Sequence, residues 1–433
     1  MRFPKRLPLP RLGTKRLGDV PRLGTKRLGD GIVRVLGYWR AERRTIRHGF
    51  VSLFISTIGD VGAGVALGAM TGTLERLPGL LILMPAANSV RGGIFGALSS
   101  RLGTSIHTGL FERTARRGSS LYQNILSATV LTFSVSLVLG GLTRGVALAL
   151  GLASVSIVDL VVLSVLGGAI ASVVVGTFAV LLALAAHAYD WDLDSVATPI
   201  ITAIGDMVTI PALYAATFAV SIDWVTPVIC GSLTALTIAL TIMGIRSRLP
   251  EARRAVRESL PVLVATGMIS LLAGVVIQTR LDRFIVFPAM LVLIPPLMTD
   301  TGALAGMLSS RLASKLHLGA LEPKGFPHGL ALLDTSVVFL FGLWVFALVS
   351  VLSHFAAVAI GLASPGLGAM LQVGMLAGFM VTAVLVVLAY YVAIATYRLG
   401  LDPDNHGIPI LTSTSDLLAV IALIIALAVV GLA

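Results

Sequence analysis

Uncharged apolar runs constrain this chain more than any other feature. Stretches such as "VTAVLVVLAYYVAIATY" and "LLAVIALIIALAVVGLA" reach the roughly 17–25 residues that an α-helix needs to cross a bilayer. In lipid every backbone N–H and C=O must be satisfied within the segment, so a solid apolar run of this length must be a helix. Strands of a membrane β-barrel would alternate apolar with polar residues instead. Composition agrees: 56% of the 433 residues are apolar and 12% are charged, against about 45–50% and about 25% in soluble chains. Such a chain is expected to be an all-α polytopic membrane protein, neither a soluble enzyme nor a disordered protein. With one cysteine, Cys230, no intramolecular disulfide can form.

Eleven spans are predicted, at about 49–70, 78–100, 121–143, 153–186, 197–220, 225–245, 259–279, 284–309, 333–360, 365–397 and 408–431. The fourth and tenth exceed one straight crossing, so they are expected to tilt or break. Orientation follows from basic residues, which favour cytoplasmic loops. With the N-terminus inside, inner loops carry 13 Lys and Arg and outer loops only Arg76, Arg144, Arg280 and Arg283. This predicts a cell-membrane protein with a cytoplasmic N-terminus and an external C-terminus.

The net charge of +11 invites a nucleic-acid reading, but 14 of the 32 basic residues lie between Arg2 and Arg47. That segment, 1–48, contains a tandem copy, "RLGTKRLGD" at 11–19 and again at 22–30. It is expected to be a flexible basic cytoplasmic tail that fixes topology and can lie on anionic lipid headgroups. No nucleic-acid partner is expected.

The chain also repeats itself at an offset of 210 residues. "LILMPAANSVRGGIFGALSSRLGTSIHTGLFE" (81–112) aligns without a gap on "LVLIPPLMTDTGALAGMLSSRLASKLHLGALE" (291–322). At the same offset "WDLDSVATPIITAIGDM" (191–207) lies over "LDPDNHGIPILTSTSDL" (401–417), so Asp206 meets Asp416 and Thr202 meets Thr412. A five-span unit has therefore been duplicated. Five spans alone would invert the second copy, but the extra span at 225–245 returns the chain to the inside. The expected domains are the tail 1–48, a first repeat 49–222, a linking helix with a basic loop 223–258, and a second repeat 259–433. The two repeats would then be parallel, related by a pseudo-two-fold axis along the membrane normal, an arrangement known in transporters.

Ionisable residues at membrane depth are costly and generally face a cavity or pathway. Asp60, Asp206, Asp300 and Asp416 lie inside predicted spans. Asp206 and Asp416 are the leading pair. Thr202 and Thr412 precede them by four residues, which puts hydroxyl and carboxylate on one helix face, and each helix is expected to open at Pro199 or Pro409. Two carboxylates among hydroxyls suit a hard, oxygen-seeking cation such as Mg²⁺, which keeps much of its water. Copper, zinc or iron would call for Cys, His or Met clusters. In the second span of each half, "PAANSVRGG" and "PPLMTDTGA" bring Asn88, Ser89, Thr299 and Asp300 to mid-membrane as further oxygen donors, with Pro and Gly expected to break the helix there. Close packing through the same glycines is the plainer reading of those segments. Asp60 faces Ser270 in the other half, and Arg91 either pairs with an acid in the path or repels cations. His107 and His317 are expected to pack at helix ends, and the acidic loops 189–194 and 401–404 either gather cations at the inner mouth or are simply solvated. No HExxH cluster marks an intramembrane metalloenzyme, no cofactor is expected, and the metal is cargo.

The blocks "DLDSVATPIITAIGDMVTI" and "GLDPDNHGIPILTSTSDLLAV" resemble the last-span signature of the MgtE magnesium channel family and its animal relatives in solute carrier family 41. The resemblance covers roughly 50–433, and its second-span segment is looser, with Asn88 opposite Met298. It implies a pseudo-dimer within one chain, with Asp206 and Asp416 in the place of the family's pore aspartate, which binds hydrated Mg²⁺. It also leaves open whether two such chains pair. The 48 residues before the first span are too few for the N-domain and CBS pair of bacterial MgtE channels. A coupled exchanger, Na⁺ or H⁺ against Mg²⁺ with Asp60 or Asp300 as coupling site, is the alternative.

Overall fold

The computed structural model describes residues 28–109, 111–112, 114, 116–189, 193–400 and 407–432. Residues 28–30, His107, Tyr189, residues 193–199 and Thr202 are described by backbone alone. Most of the basic tail, residues 190–192 of the first acidic loop and all of the second therefore lie outside the described residues.

Among the described residues the chain is helical throughout: α1 (Leu28–Ala41), α2 (Arg43–Ala69), α3 (Thr71–Arg76), α4 (Leu80–His107), α5 (Ser120–Ala149), α6 (Ile157–Tyr189), α7 (Leu193–Ala216), α8 (Val225–Ile245), α9 (Pro250–Gln278), α10 (Leu281–Val286), α11 (Ala289–His317), α12 (Leu330–Ala359), α13 (Leu367–Leu399) and α14 (Ile408–Val430). The described residues divide into two units, one up to Arg43 and the other from Arg44 onward. In the first unit, residues read as flexible tail form α1, because "GIVRVLGYW" has apolar residues enough to order a helix; Ile32, Val33 and Leu36 are exposed on it.

Each of the eleven expected spans is a helix. Ten are long and apolar enough to cross a membrane, and the eleventh, α7, contributes the apolar stretch Ala203–Ala219 together with the short helix after it. Of three expectations about helix continuity, the first loses only its breaking alternative and the other two are corrected. The fourth and tenth spans, α6 and α13, are single helices of 33 residues each; at 1.5 Å per residue they outrun a hydrocarbon core of about 30 Å and must tilt or protrude. The break expected in the second spans is absent: α4 runs through Pro85, and α11 through Pro295 and Pro296. These prolines are the sixth residue of α4 and the seventh and eighth of α11, past the four N–H groups that a helix leaves free, so each gives up a backbone hydrogen bond without ending its helix, as helices packed among neighbours in a membrane allow. Pro409 sits in the opening turn of α14, as expected, but α7 begins at Leu193, six residues ahead of Pro199.

The first helix of each half crosses into the other half. In α2, Gly64 abuts the backbone carbonyl of Val292 in α11, and Phe50 packs edge-on against Phe341 and Trp344 of α12, with ring centroids at 5.0 and 5.1 Å. In α9, Gly274 abuts the carbonyl of Ile82 in α4, and Gly267 lies against Leu139 of α5. Gly64 and Gly274 are 210 residues apart, as are Ile82 and Val292. A Cβ on either glycine would fall inside the facing backbone, so this crossing exists only because both positions lack a side chain. Reciprocal contacts of this kind, i to j and i′ to j′ exchanged, are the mark of a two-fold relation. α8 stands outside the duplicated set against α5 and α6, with few of its residues buried.

A candidate cation path between the two halves

A cavity of about 1490 Å³ runs between the halves. At one end it is bounded by the last turns of α4 (Arg101, Thr104, Thr108) and the first turns of α9 (Glu251, Arg254, Glu258); at the other it meets Leu67, Leu81, Met84, Ile277 and Ile294. Asp206 and Asp416 both line it, with Asn88, Ser89, Thr299 and Thr412. Further hydroxyls, among them Thr266, Ser413 and Ser415, line the wall around them.

Each aspartate is held by a hydroxyl. Thr299 donates to Asp206 Oδ2 at 3.2 Å, so a second-half residue of α11 supports the first half's carboxylate. The mirror relation brings Ser89 of α4 up to Asp416 of α14. From its own half Asp416 also accepts a 2.8 Å hydrogen bond from Ser270 of α9. At the position equivalent to Ser270 stands Asp60, which approaches Asp206 as Asn88 does. One register thus places a hydroxyl beside one aspartate and a second carboxyl beside the other.

The expected donors separate into two groups. Asp206, Asp416, Asn88, Ser89, Thr299 and Thr412 come together on the cavity wall. Asp60 and Asp300 do not line it; they are fully buried behind Asp206. Thr57, three residues before Asp60 on α2, donates to Asp300 Oδ2 at 2.8 Å, and Ser56 donates to Asp60 Oδ2 at 3.1 Å. Oδ1 of both Asp60 and Asp300, and Oδ1 of Asn88, are buried without a partner. Carboxyl groups buried side by side without a basic partner repel one another when charged. Thr412, on the cavity wall, donates its hydroxyl to the Pro409 carbonyl at 3.1 Å. The side chain of Thr202 lies outside the described residues.

Sequence reasoning missed Thr57, whose i, i+3 spacing from Asp60 was the available signal, and Ser415, whose hydroxyl lies where a Cβ on Gly302 would reach it at 2.9 Å. Among the described residues Arg91 neither pairs with an acid nor lines the cavity: it donates to the Gly168 carbonyl at 2.7 Å and to Ser172 Oγ, both on α6. His317 packs at the helix end, its Nδ1 2.8 Å from the Ala313 carbonyl and its ring against Tyr397. Among the described residues no three His, Cys, Asp or Glu side chains stand close enough together to hold a metal. A wall of two separated carboxylates, hydroxyls and an amide suits an ion that keeps water, rather than one stripped and chelated.

Fold and wall together describe a multi-pass membrane protein built from two copies of one unit around a polar cavity. The model of the MgtE family, described as divalent cation transporter, matches residues 84–216 and 294–426, two ranges set 210 residues apart. The chain belongs to this family, and its function is divalent cation transport. It is similar to solute carrier family 41 member 3 of Rattus norvegicus, 26% identical over 393 residues that cover 85% of this chain and 83% of that one. It is also similar to solute carrier family 41 member 2 of Mus musculus, 25% identical over 399 residues, 85% and 67% of the two chains. The human member 2 is 24% identical over 411 residues, again 85% and 67%. No solved structure matches.

Proposed function

We propose that the chain moves Mg²⁺ across the cell membrane through the cavity between its halves, with Asp206 and Asp416 holding the partly hydrated ion. The observation that carries this reading is that both members of the duplicated aspartate pair line one cavity, each beside a hydroxyl. A volume of about 1490 Å³ is ample for an ion with its first water shell, at about 30 Å³ per water. Asn88, Ser89, Thr299 and Thr412 are the groups that meet those waters, while Asp60 and Asp300 add negative charge from behind. In this reading the repeats occupy 49–222 and 259–433, α8 and the loop to 258 restore the parallel orientation, and one chain is a pseudo-dimer. The N-terminus is cytoplasmic and the C-terminus external. Titrating the purified protein with Mg²⁺ calorimetrically is expected to show saturable binding that the Asp206→Asn/Asp416→Asn variant loses while it unfolds at an unchanged temperature. Equal binding by the variant would contradict the reading.

A further inference from the structure

α1 precedes the duplicated halves and is built unlike the helices in them. It has 14 residues, Leu28–Ala41, about 21 Å along its axis, too short to cross a hydrocarbon core of about 30 Å. At about 100° per residue, Ile32, Val33, Val35, Leu36 and Trp39 fall on one side of the helix, within an arc of about 160°. Arg34 stands opposite the middle of that arc. Ile32 is 60% exposed, Val33 69% and Leu36 46%, while Val35 and Trp39 are half-buried. The apolar side of α1 is therefore open among the described residues.

The charges around it narrow the cover to one chemistry. Arg34 and Arg40 lie on α1, and Arg43, Arg44 and Arg47 open α2; all five are exposed. Glu42 is the one acid between Arg34 and Arg47. Arginines exclude such a helix from the bilayer core, and its apolar side disfavours open water. The bilayer–water interface satisfies both, because there the apolar face sinks about 5–10 Å into the acyl boundary while Lys and Arg meet the headgroups. Arg34 stays on the wet side. Arg40, in the last turn at the edge of the apolar arc, reaches a headgroup along its own methylenes. Trp39 is of a residue type enriched at this level of the membrane. The chain itself keeps the interface within reach: Glu42 alone separates the end of α1 from α2, which is long and apolar enough to cross the membrane. Five cations against one acid favour a negatively charged surface.

We infer that α1 is an interfacial helix. It lies in the surface of the bilayer that the chain crosses, with Ile32, Val33 and Leu36 in the lipid, and its arginines select anionic phospholipid. So placed, it fixes the level at which α2 enters the membrane. This placement rests on α2 crossing the membrane and not on the cation path.

The test uses the full chain carrying Cys230→Ser, in nanodiscs of phosphatidylcholine with or without phosphatidylglycerol. A single cysteine, Leu36→Cys or Arg34→Cys, carries an environment-sensitive NBD fluorophore. With phosphatidylglycerol present, the label of Leu36→Cys is expected to emit at shorter wavelength and to lose most of its emission to lipids bearing a nitroxide on the upper acyl chain. The label of Arg34→Cys is expected to keep its emission. Leaving out phosphatidylglycerol or adding salt is expected to weaken the quenching of Leu36→Cys, since the attraction to headgroups is screened. Should Leu36→Cys disturb the helix, Val33→Cys, on the same side, decides the matter. Equal quenching of Arg34→Cys and Leu36→Cys, or quenching indifferent to phosphatidylglycerol, would overturn the inference. So would a Leu36→Cys label shielded from water yet untouched by the lipid quencher, the sign of a second copy or another protein on this face.

Discussion

Thr299 of the second half donates its hydroxyl to Asp206 of the first at 3.2 Å. The bond ties the second helix of one repeat to the last helix of the other. Neither half therefore surrounds its cavity-facing carboxylate with its own residues alone, and the wall of the cavity exists only when both copies are folded together.

The crossing of α2 and α9 supports that arrangement and depends on two glycines. Replacing Gly64 or Gly274 by Ala would drive a methyl into the carbonyl of Val292 or Ile82, and overpacking of this kind costs about 1–3 kcal/mol. Each variant is expected to melt well below the wild type in detergent, by similar amounts. Gly92→Ala, with nothing within 4 Å of the added Cβ, is expected to melt as the wild type does. Equal losses at Gly64 and Gly92 would refute the crossing.

Asp60 can be exchanged for the residue its own repeat partner uses. Asp60→Ser copies Ser270, removes a buried carboxyl whose Oδ1 has no partner, and relieves the crowding around Asp206. Replacing buried charge by a fitting neutral group is often neutral or stabilising by about 1–4 kcal/mol. A melting temperature equal to or above that of the wild type is expected; a clear loss of stability would show that Asp60 holds the fold.

Much of this was legible in the chain itself. Apolar runs mark the helices because a bilayer admits a solid run of this length only as a helix, and the 210-residue offset marks the duplication and its aspartate pair. What could not be read was which half each helix joins. The glycine of Gly64 reads as a packing residue, but its partner, Val292, is 228 positions away, and nothing local encodes that contact. For the same reason Asp300 read as a donor in the path, whereas Thr57 holds it behind the wall. The unbroken course of α4 through Pro85 likewise depends on the helices packed around it, which residue type alone does not give.

Topology can be checked with reporter fusions. A C-terminal alkaline phosphatase is expected to be active and a C-terminal fluorescent protein dark, with the opposite pattern at the N-terminus. The reverse pattern would invert the chain and place the end of the cavity around Arg101 on the outer side.

The central claim is that the duplicated aspartates carry the ion. Mg²⁺ uptake into liposomes containing the purified wild type, compared with Asp206→Asn/Asp416→Asn, tests it most directly. The wild type is expected to carry Mg²⁺, and the variant, equally stable, to lose at least about tenfold of that flux, the scale on which even residues that merely support a metal's ligands act. Undiminished flux through the double variant would place the path elsewhere.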